Sequence, residues 1–236
     1  MILPTSKSAA FLLFLSSLTT QPTVVTASKN QYKILEIFYN RTNGDNWTNK
    51  QWNISDTSVC NSDSYPGVLC NDENKIIEID LHRCGLSGRV PPWIYALPKL
   101  TKLTLSDNAL KEGGWDRIAD IAGNDNTGYV LSPKLESITL TSNQISSVEG
   151  IEQLKDTLTE LHLTYNSIAG AIPDELFELK KLKILSISEN GITGTIDKRL
   201  GTLTDLNELY CYGNEVVGQI PDEIGQLKKL QILTVS

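Results

Sequence analysis

A repeat of apolar residues organises the chain from Ile76 to its last residue and constrains the fold more than any other feature. The repeats begin at residues 76, 100, 135, 158, 182, 206 and 230, and the last is incomplete. In the six complete repeats the first, fourth, sixth and eleventh positions are apolar or Cys, and the ninth is Asn in all but one. This periodicity predicts a solenoid, in which each coil buries its apolar side against the next coil.

The spacing within a repeat predicts the parts of each coil. Apolar residues at the fourth and sixth positions alternate as in a short strand with one buried face. A buried Asn at the ninth position can hydrogen-bond backbone groups of its own turn and of the neighbouring coil. Gly then permits a bend, and Pro suits the first position of a short helical turn. The residues concerned are Gly88, Gly170, Gly194 and Gly218, and Pro91, Pro173 and Pro221.

The first 27 residues predict a secretory signal peptide. Lys7 is the only charged residue before Lys29, an apolar stretch follows it, and Val25-Thr26-Ala27 ends in a small residue. The alternative is an uncleaved membrane anchor, but the apolar stretch is shorter than the ~20 residues that span a bilayer. No other segment of the sequence is long and apolar enough to span. We therefore expect cleavage of residues 1–27 and a secreted or cell-surface protein.

Residues 28–75 predict a cap, because a solenoid otherwise exposes the apolar edge of its first coil. Apolar residues at helical spacing within 30–41, followed by Asn43-Gly44, predict a short helix. Trp47 and Trp52 are predicted to form a small hydrophobic core within the cap. The alternative is that one of these rings stacks on a ligand.

Three Asn-x-Ser/Thr sequons lie in the same segment, at Asn40, Asn46 and Asn53. In a secreted protein this motif accepts N-linked glycans, which require a surface that faces solvent. We therefore predict glycosylation of the cap. The alternative is a chance cluster of sequons in an Asn-rich segment.

Three repeats carry the motif Gly-x-Ile/Val-Pro in their second half, at residues 88–91, 170–173 and 218–221. With these motifs the chain resembles plant-type extracellular leucine-rich-repeat proteins, similar to receptor-like protein ectodomains and polygalacturonase-inhibiting proteins. The resemblance covers residues 29–236. It implies an α/β solenoid, a right-handed superhelix with a parallel concave β-sheet, short helical or 3₁₀ turns on the convex side, and an N-terminal helical cap. The resulting domains are the signal 1–27, the cap 28–75 and the leucine-rich-repeat domain 76–236.

The resemblance also implies that Cys60 pairs with Cys70, because the cap of this class carries a Trp, a Cys and a Gly-Val-x-Cys in this order. Two features depart from the class. An insertion at 111–134, to which we assign no role, lengthens the second repeat. In the third repeat, residues 147–151 replace the Gly-Pro motif with a sequence similar to intracellular repeats.

The other two cysteines, Cys84 and Cys211, are predicted to be reduced and buried. They lie five repeats apart in the sequence. Strands stacked at ~4.8 Å place them about 24 Å apart, far beyond the ~7 Å between Cα atoms that a disulfide tolerates.

Positions five, seven and eight of each repeat are expected on the concave face, where Ser and Thr predominate among a few aromatic and charged residues. Hydroxyls and Tyr rings suit peptide or carbohydrate recognition, and exposed aromatics grouped on a concave surface are typical anchors. The alternative is that Ser and Thr are solvated strand residues without a ligand. The predicted ligand-binding residues are His162, Tyr165, Tyr210, Tyr212, Asp80, His82 and Arg83.

Charge and spacing argue against catalysis, cofactors and nucleic acid. Lys and Arg number 21 against 28 Asp and Glu, and the net charge of −7 does not suit nucleic acid or an anionic membrane. His82 and His162 lie three repeats apart, about 14 Å by strand spacing, and Asp80 with His82 supplies only two metal ligands. No Ser–His–Asp set or phosphate loop stands out. We predict no enzyme, no catalytic residue, no metal site and no cofactor.

The leading hypothesis is a recognition module that binds an extracellular protein, peptide or glycan on its concave face. The alternatives are a structural or adhesive matrix component and the ectodomain fragment of a longer receptor-like protein. Resemblance to polygalacturonase inhibitors adds enzyme inhibition by surface occlusion.

The sequence also predicts self-association through the C-terminal repeat, which is incomplete. An apolar strand edge without a covering coil is an association site. The residues expected to be uncovered are Leu206, Leu209, Ile220, Ile224 and Leu227.

Overall fold

The structure, a computed structural model, describes residues 31–117 and 133–235. The predicted signal peptide, residues 118–132 of the insertion and Ser236 lie outside the described residues. Helix α1 spans Gln31–Arg41. The strands that follow are β1 (Val68–Cys70), β2 (Ile76–Asp80), β3 (Ser87–Arg89), β4 (Lys102–Thr104), β5 (Ala109–Glu112), β6 (Ser137–Thr139), β7 (Glu160–His162), β8 (Ala169–Gly170), β9 (Ile184–Ser186), β10 (Gly191–Thr195), β11 (Glu208–Tyr210), β12 (Glu215–Val217) and β13 (Ile232–Thr234).

The chain folds as an α/β solenoid with one long sheet. Its eight strands are ordered β1-β2-β4-β6-β7-β9-β11-β13, so each repeat contributes one strand. From β2 onward the strands are parallel, whereas β1 pairs antiparallel with β2. Two smaller parallel sheets, β3-β5 and β12-β10-β8, form from residues that follow position nine of their repeats. Short 3₁₀ helices occupy Gly44–Asn46, Pro92–Ala96, Trp115–Arg117, Ile151–Leu154, Asp174–Glu178, Lys198–Thr202 and Asp222–Gln226.

The cap and the repeats share one hydrophobic core. Trp47 and Trp52 lie inside it, 1% and 5% exposed, with their ring centroids 5.0 Å apart. Phe38 and Tyr65 pack on Trp52 at 5.9 and 5.4 Å, and burial raises the pKa of Tyr65 to about 12. Both indoles are therefore part of the cap's core, and neither is exposed for ligand stacking.

The cysteines adopt the expected states. A disulfide joins Cys60 to Cys70, with 5.7 Å between the Cα atoms, as the resemblance implies. Cys84 and Cys211 are free and buried. Burial raises the pKa of Cys211 to about 11, which keeps this thiol protonated at neutral pH.

The Asn residues at position nine form a ladder that links successive coils. Asn166 is representative: its Nδ2 donates to Leu140 O of the preceding coil and to Leu163 O of its own coil, both at 3.0 Å. Its Oδ1 accepts from the N–H of Ile145 at 2.9 Å. The same contacts recur at Asn108, Asn143, Asn190 and Asn214. One half-buried amide per coil thus satisfies backbone groups on both sides of each junction between coils.

Position eight, just before the ladder residue, is left-handed in every complete repeat, a feature that the sequence pattern did not predict. This conformation costs a side chain with a Cβ atom more than it costs Gly. The repeat imposes it on polar, charged and aromatic residues alike. The φ values are 53° at Arg83, 56° at Asp107, 55° at Ser142, 55° at Tyr165, 52° at Glu189 and 67° at Gly213.

The prolines lie one position earlier than the sequence predicts. Pro91, Pro173 and Pro221 precede their helical turns as extended N-cap residues, with ψ of 137°, 136° and 147°. The helical turn starts at the next residue. Each Pro carbonyl accepts the first hydrogen bond of that turn, for example from the N–H of Ile94 at 3.1 Å.

The prediction of an uncovered C-terminal coil is wrong for most of the residues concerned. Leu206 and Leu209 are fully buried, and Leu227 and Ile224 are 5% and 9% exposed. The physical reason is that the incomplete seventh repeat still forms β13, which pairs with β11 and closes the coil. Ile220 remains 52% exposed, as predicted.

Candidate functional site

The concave face is built from positions three, five and seven of each repeat. Residues at positions four and six are buried, so strand alternation directs the side chains between them to the opposite face. Parallel strands pair position for position, as at Leu161, Leu185 and Leu209. Equivalent positions of neighbouring repeats therefore form rows that cross the sheet.

Nine residues of β7, β9 and β11 and their following turns form a set of three rows, which we call the β7–β11 grid. The pairing of β9 with both neighbours fixes rows three and five. Backbone hydrogen bonds from Tyr165 N to Ser188 O and from Glu189 N to Tyr212 O, at 3.1 and 2.8 Å, extend the same register to row seven. The grid reads Glu160, Ile184, Glu208 in row three, His162, Ser186, Tyr210 in row five, and Thr164, Ser188, Tyr212 in row seven.

Four predicted ligand-binding residues lie in or beside this grid. His162 and Tyr210 flank Ser186 in row five. Tyr212 lies in row seven and is 38% exposed, and Tyr165, at position eight, is 54% exposed. The structure thus brings the aromatic cluster together on the C-terminal half of the concave face.

Row three was not among the positions expected on the concave face, yet it places Glu160 and Glu208 on that face. Tyr210 Oη donates to Glu208 Oε2 at 2.8 Å, and this bond is the main reason why the pKa of Tyr210 is raised. The signal was available, because positions three and five have the same parity in a strand and therefore share a face.

The middle column of the grid does not present the hydroxyl surface expected from the sequence, and it does not fit the alternative of solvated strand residues either. Ser186 is 7% exposed and Ser188 is fully buried, because each is a small residue between larger side chains. Ser186 Oγ and Thr164 Oγ1 share a hydrogen bond at 2.5 Å. Ser188 Oγ has no hydrogen-bond partner among the described residues.

His162 is half-buried in this setting. Burial lowers the pKa of His162 below its ordinary value, and the carboxylates of Glu160 and Glu208 act in the opposite direction without overcoming it. The imidazole is therefore neutral at pH 7, a form that accepts a hydrogen bond at one ring nitrogen and donates at the other.

The remaining predicted residues form a second, separate group at the end of β2 and in the turn that follows it. His82 Nδ1 lies 2.7 Å from Asp80 Oδ1, and Lys50 Nζ lies 3.4 Å from Asp80 Oδ2. Burial alone raises the pKa of Asp80, but hydrogen bonds from His82 and the charge of Lys50 hold it below its usual value. Arg83 Nε bonds Asp107 Oδ2 at 3.1 Å. Strands β4 and β6 separate β2 from β7, so these residues do not join the grid.

Within residues 31–117 and 133–235, no group of three or more His, Cys, Asp or Glu is arranged to hold a metal ion. No helix in these ranges is both long and apolar enough to cross a bilayer. In the cap, Asn40, Asn46 and Asn53 are all exposed.

Comparison with known proteins identifies the repeat class. The Leucine Rich Repeat family model matches residues 157–179 and 181–203. Receptor-like protein 18 and Receptor-like protein 35 of Arabidopsis thaliana are 25% and 30% identical to the chain, each over 63% of it and over 20% and 18% of their own lengths. The chain thus spans about a fifth of the length of these curated relatives.

The fold agrees with solved receptor structures. The chain is similar to the Arabidopsis receptor kinase HAESA, solved in complex with the peptide hormone IDA and the co-receptor SERK1. The TM-score is 0.70 at 25% identity, over 86% of this chain and 32% of that chain. These relatives also agree with the predicted extracellular or cell-surface location. The chain thus carries leucine-rich repeats and is similar to plant receptor-like proteins and receptor ectodomains.

Proposed function

We propose that the chain is a non-catalytic recognition module that binds a protein or peptide on the concave face of its sheet. The observation that carries this proposal is the β7–β11 grid, where His162, Tyr210 and Tyr212 are grouped beside the exposed Tyr165. Aromatic anchors around a recessed floor are typical of binding surfaces. The similarity to HAESA, which was solved with a peptide hormone, favours a peptide over a glycan.

The N-terminal half of the face is less suited to a ligand. Its charged residues already bond one another, as Lys102 does with Glu78 at 3.0 Å and Arg83 with Asp107 at 3.1 Å. A ligand would have to replace these contacts, whereas Tyr165 and Tyr212 offer aromatic surface whose side chains form no hydrogen bond with any described residue. Asp80, His82 and Arg83 are therefore secondary candidates in this proposal.

The test is a paired screen of residues 28–236 against a peptide array and a glycan array. The site variant is the double substitution Tyr210→Thr and Tyr212→Thr, because Thr is the residue at the equivalent position five of β4 and β6. The control is Thr104→Ala with Ser106→Ala, on the same rows of β4. We expect the site variant to lose binding and the control to keep it. Binding that survives the site variant contradicts the proposal.

The same screen addresses the other predicted functions. A single tight ligand contradicts an adhesive matrix component, which would bind many partners weakly. The proposed cap glycans at Asn40, Asn46 and Asn53 lie on the N-terminal segment, outside the strands of the grid. We therefore expect enzymatic deglycosylation to reduce the mass of the secreted protein without reducing ligand binding.

A further inference from the structure

The C-terminal half of the concave face carries carboxylates without ion pairs. Glu160 and Glu208 lie in row three on either side of Ile184, and neither forms an ion pair with any described residue. The sequence has no Lys or Arg at positions three, five, seven or eight of the third to seventh repeats. Lys102, at position three of the second repeat, lies on β4, two strands from Glu160, and bonds Glu78 at 3.0 Å.

The same half of the face has a recessed middle. Ser186 and Ser188 are small and buried, whereas His162, Tyr210 and Tyr212 in the outer columns are large. Glu160 and Glu208 are two strands apart, about 10 Å between Cα atoms at ordinary strand spacing. Their flexible side chains can therefore converge on one group above Ile184.

An independent observation points to a ligand on the same grid, in row seven of its middle column. Ser188 Oγ is buried and unpartnered among the described residues, and strand alternation places it on the concave face because Ile187 is fully buried. A buried hydroxyl without a partner destabilises a protein, and a donor supplied by a ligand removes that cost. The neighbouring Tyr212 ring is 38% exposed and can change rotamer to admit the donor.

We propose that the β7–β11 grid recognises a peptide segment through one Lys or Arg side chain, held between Glu160 and Glu208. Bonds from a cation to carboxylates are stronger than neutral hydrogen bonds. Tyr165 and Tyr212 pack against the rest of the segment, and Ser188 Oγ accepts one of its backbone N–H groups. This inference rests on the proposed function and specifies its ligand class. It excludes neutral glycans, which carry no cation.

The first experiment identifies the ligand chemistry. Residues 28–236 are screened on an array of random dodecapeptides, and the strongest binder is resynthesised with each Lys or Arg replaced in turn by Gln. We expect the binders to be enriched in Lys and Arg, and one replacement to weaken binding by about tenfold, the value of one charged hydrogen bond. Binders without a basic residue overturn the proposal.

The second experiment locates the contact. The double variant Glu160→Gln with Glu208→Gln removes two negative charges from row three. The control, Glu136→Gln with Glu178→Gln, removes two from exposed positions outside the grid. We expect the first pair to weaken binding about tenfold and to reduce its dependence on salt, and the control to change neither. Equal effects of the two pairs overturn the proposal. Thermal melts of all variants test whether each variant is folded.

The outcomes separate this inference from the proposed function. Binding that is lost in the double Tyr→Thr variant but kept in Glu160→Gln with Glu208→Gln supports the concave face and overturns the cationic ligand. A ligand found only on the glycan array overturns both proposals, because both specify a protein or peptide. Absence of any ligand on both arrays overturns both proposals.

Discussion

At the scale of single residues, Asn190 shows how one side chain holds two coils together. Its Nδ2 donates to Leu163 O and Ser188 O, both at 3.0 Å, and its Oδ1 accepts from Ile168 N at 3.0 Å. We predict that Asn190→Ala lowers the free energy of unfolding by about 3 kcal/mol, because it leaves buried backbone groups unpaired. Denaturant titration measures the loss.

The matched control for this variant is Asn207→Ala. Asn207 belongs to the next repeat and makes no side-chain hydrogen bond among the described residues. We expect it to change the free energy of unfolding by less than about 0.5 kcal/mol, as is usual away from the core. Similar losses in the two variants would contradict the role assigned to the ladder.

His162 should make stability depend on pH. Its pKa is lowered in the folded protein, mainly by burial, so the unfolded chain binds a proton more readily than the folded one. The stability linked to His162 is therefore complete above its ordinary pKa of about 6.5 and is lost as pH falls through the lowered value. We predict a steeper loss of the free energy of unfolding below about pH 6.5 in the wild type than in His162→Gln. Parallel pH curves would disprove this.

At the scale of local elements, the left-handed turn at position eight sets a backbone requirement that the side chain must meet. Ser142 has φ of 55°. We predict that Ser142→Val destabilises the protein by about 1–2 kcal/mol, because a β-branched residue is strained there. The control is Thr141→Val at the preceding, half-buried position, where Val has nearly the same shape as the Thr that it replaces. If the control costs as much, hydroxyl loss rather than backbone strain is the cause.

The disulfide of the cap closes a loop of ten residues in sequence separation, between Cys60 and Cys70. We predict that Cys60→Ser with Cys70→Ser costs about 3 kcal/mol, from the greater freedom of the unfolded chain. The comparison is reduction of the wild type, which should give a similar loss because Cys84 and Cys211 are already free. An unchanged melting temperature in both cases would show that the aromatic core holds the cap without the bond.

Such elements also show what the sequence can and cannot predict. The period predicts the strands, the Asn ladder and rows five and seven, because each depends on spacing alone. The burial of Ser186 and Ser188 depends on the size of the side chains beside them on neighbouring strands. The spacing of the repeat carries no information about those sizes. The left-handed conformation at position eight could not be predicted, because Gly213 is the only glycine among the residues at this position. Glu160 and Glu208 were predictable from strand parity and were missed by reading only the positions after the fourth.

At the scale of the whole molecule, exposed apolar side chains lie at both ends of the described part of the long sheet. At one end β1 runs antiparallel to β2, with Leu69 53% exposed. At the other end β13 pairs with β11, and in the sixth and seventh repeats Val217, Ile220 and Ile232 are 65%, 52% and 37% exposed. Exposed apolar side chains grouped on one surface favour association of two copies.

We therefore predict that residues 28–236 form a dimer through the apolar surface of Val217, Ile220 and Ile232, detectable as a concentration-dependent mass by size-exclusion chromatography with light scattering. Val217→Lys with Ile232→Lys should give a monomer, because the charges must lose their hydration in a packed contact. The control is Leu69→Lys, which places a charge on a comparably exposed apolar residue at the opposite edge and should leave the dimer intact. A wild-type monomer at high concentration would contradict the prediction. Dissociation by Leu69→Lys would instead indicate a head-to-tail contact between the two edges.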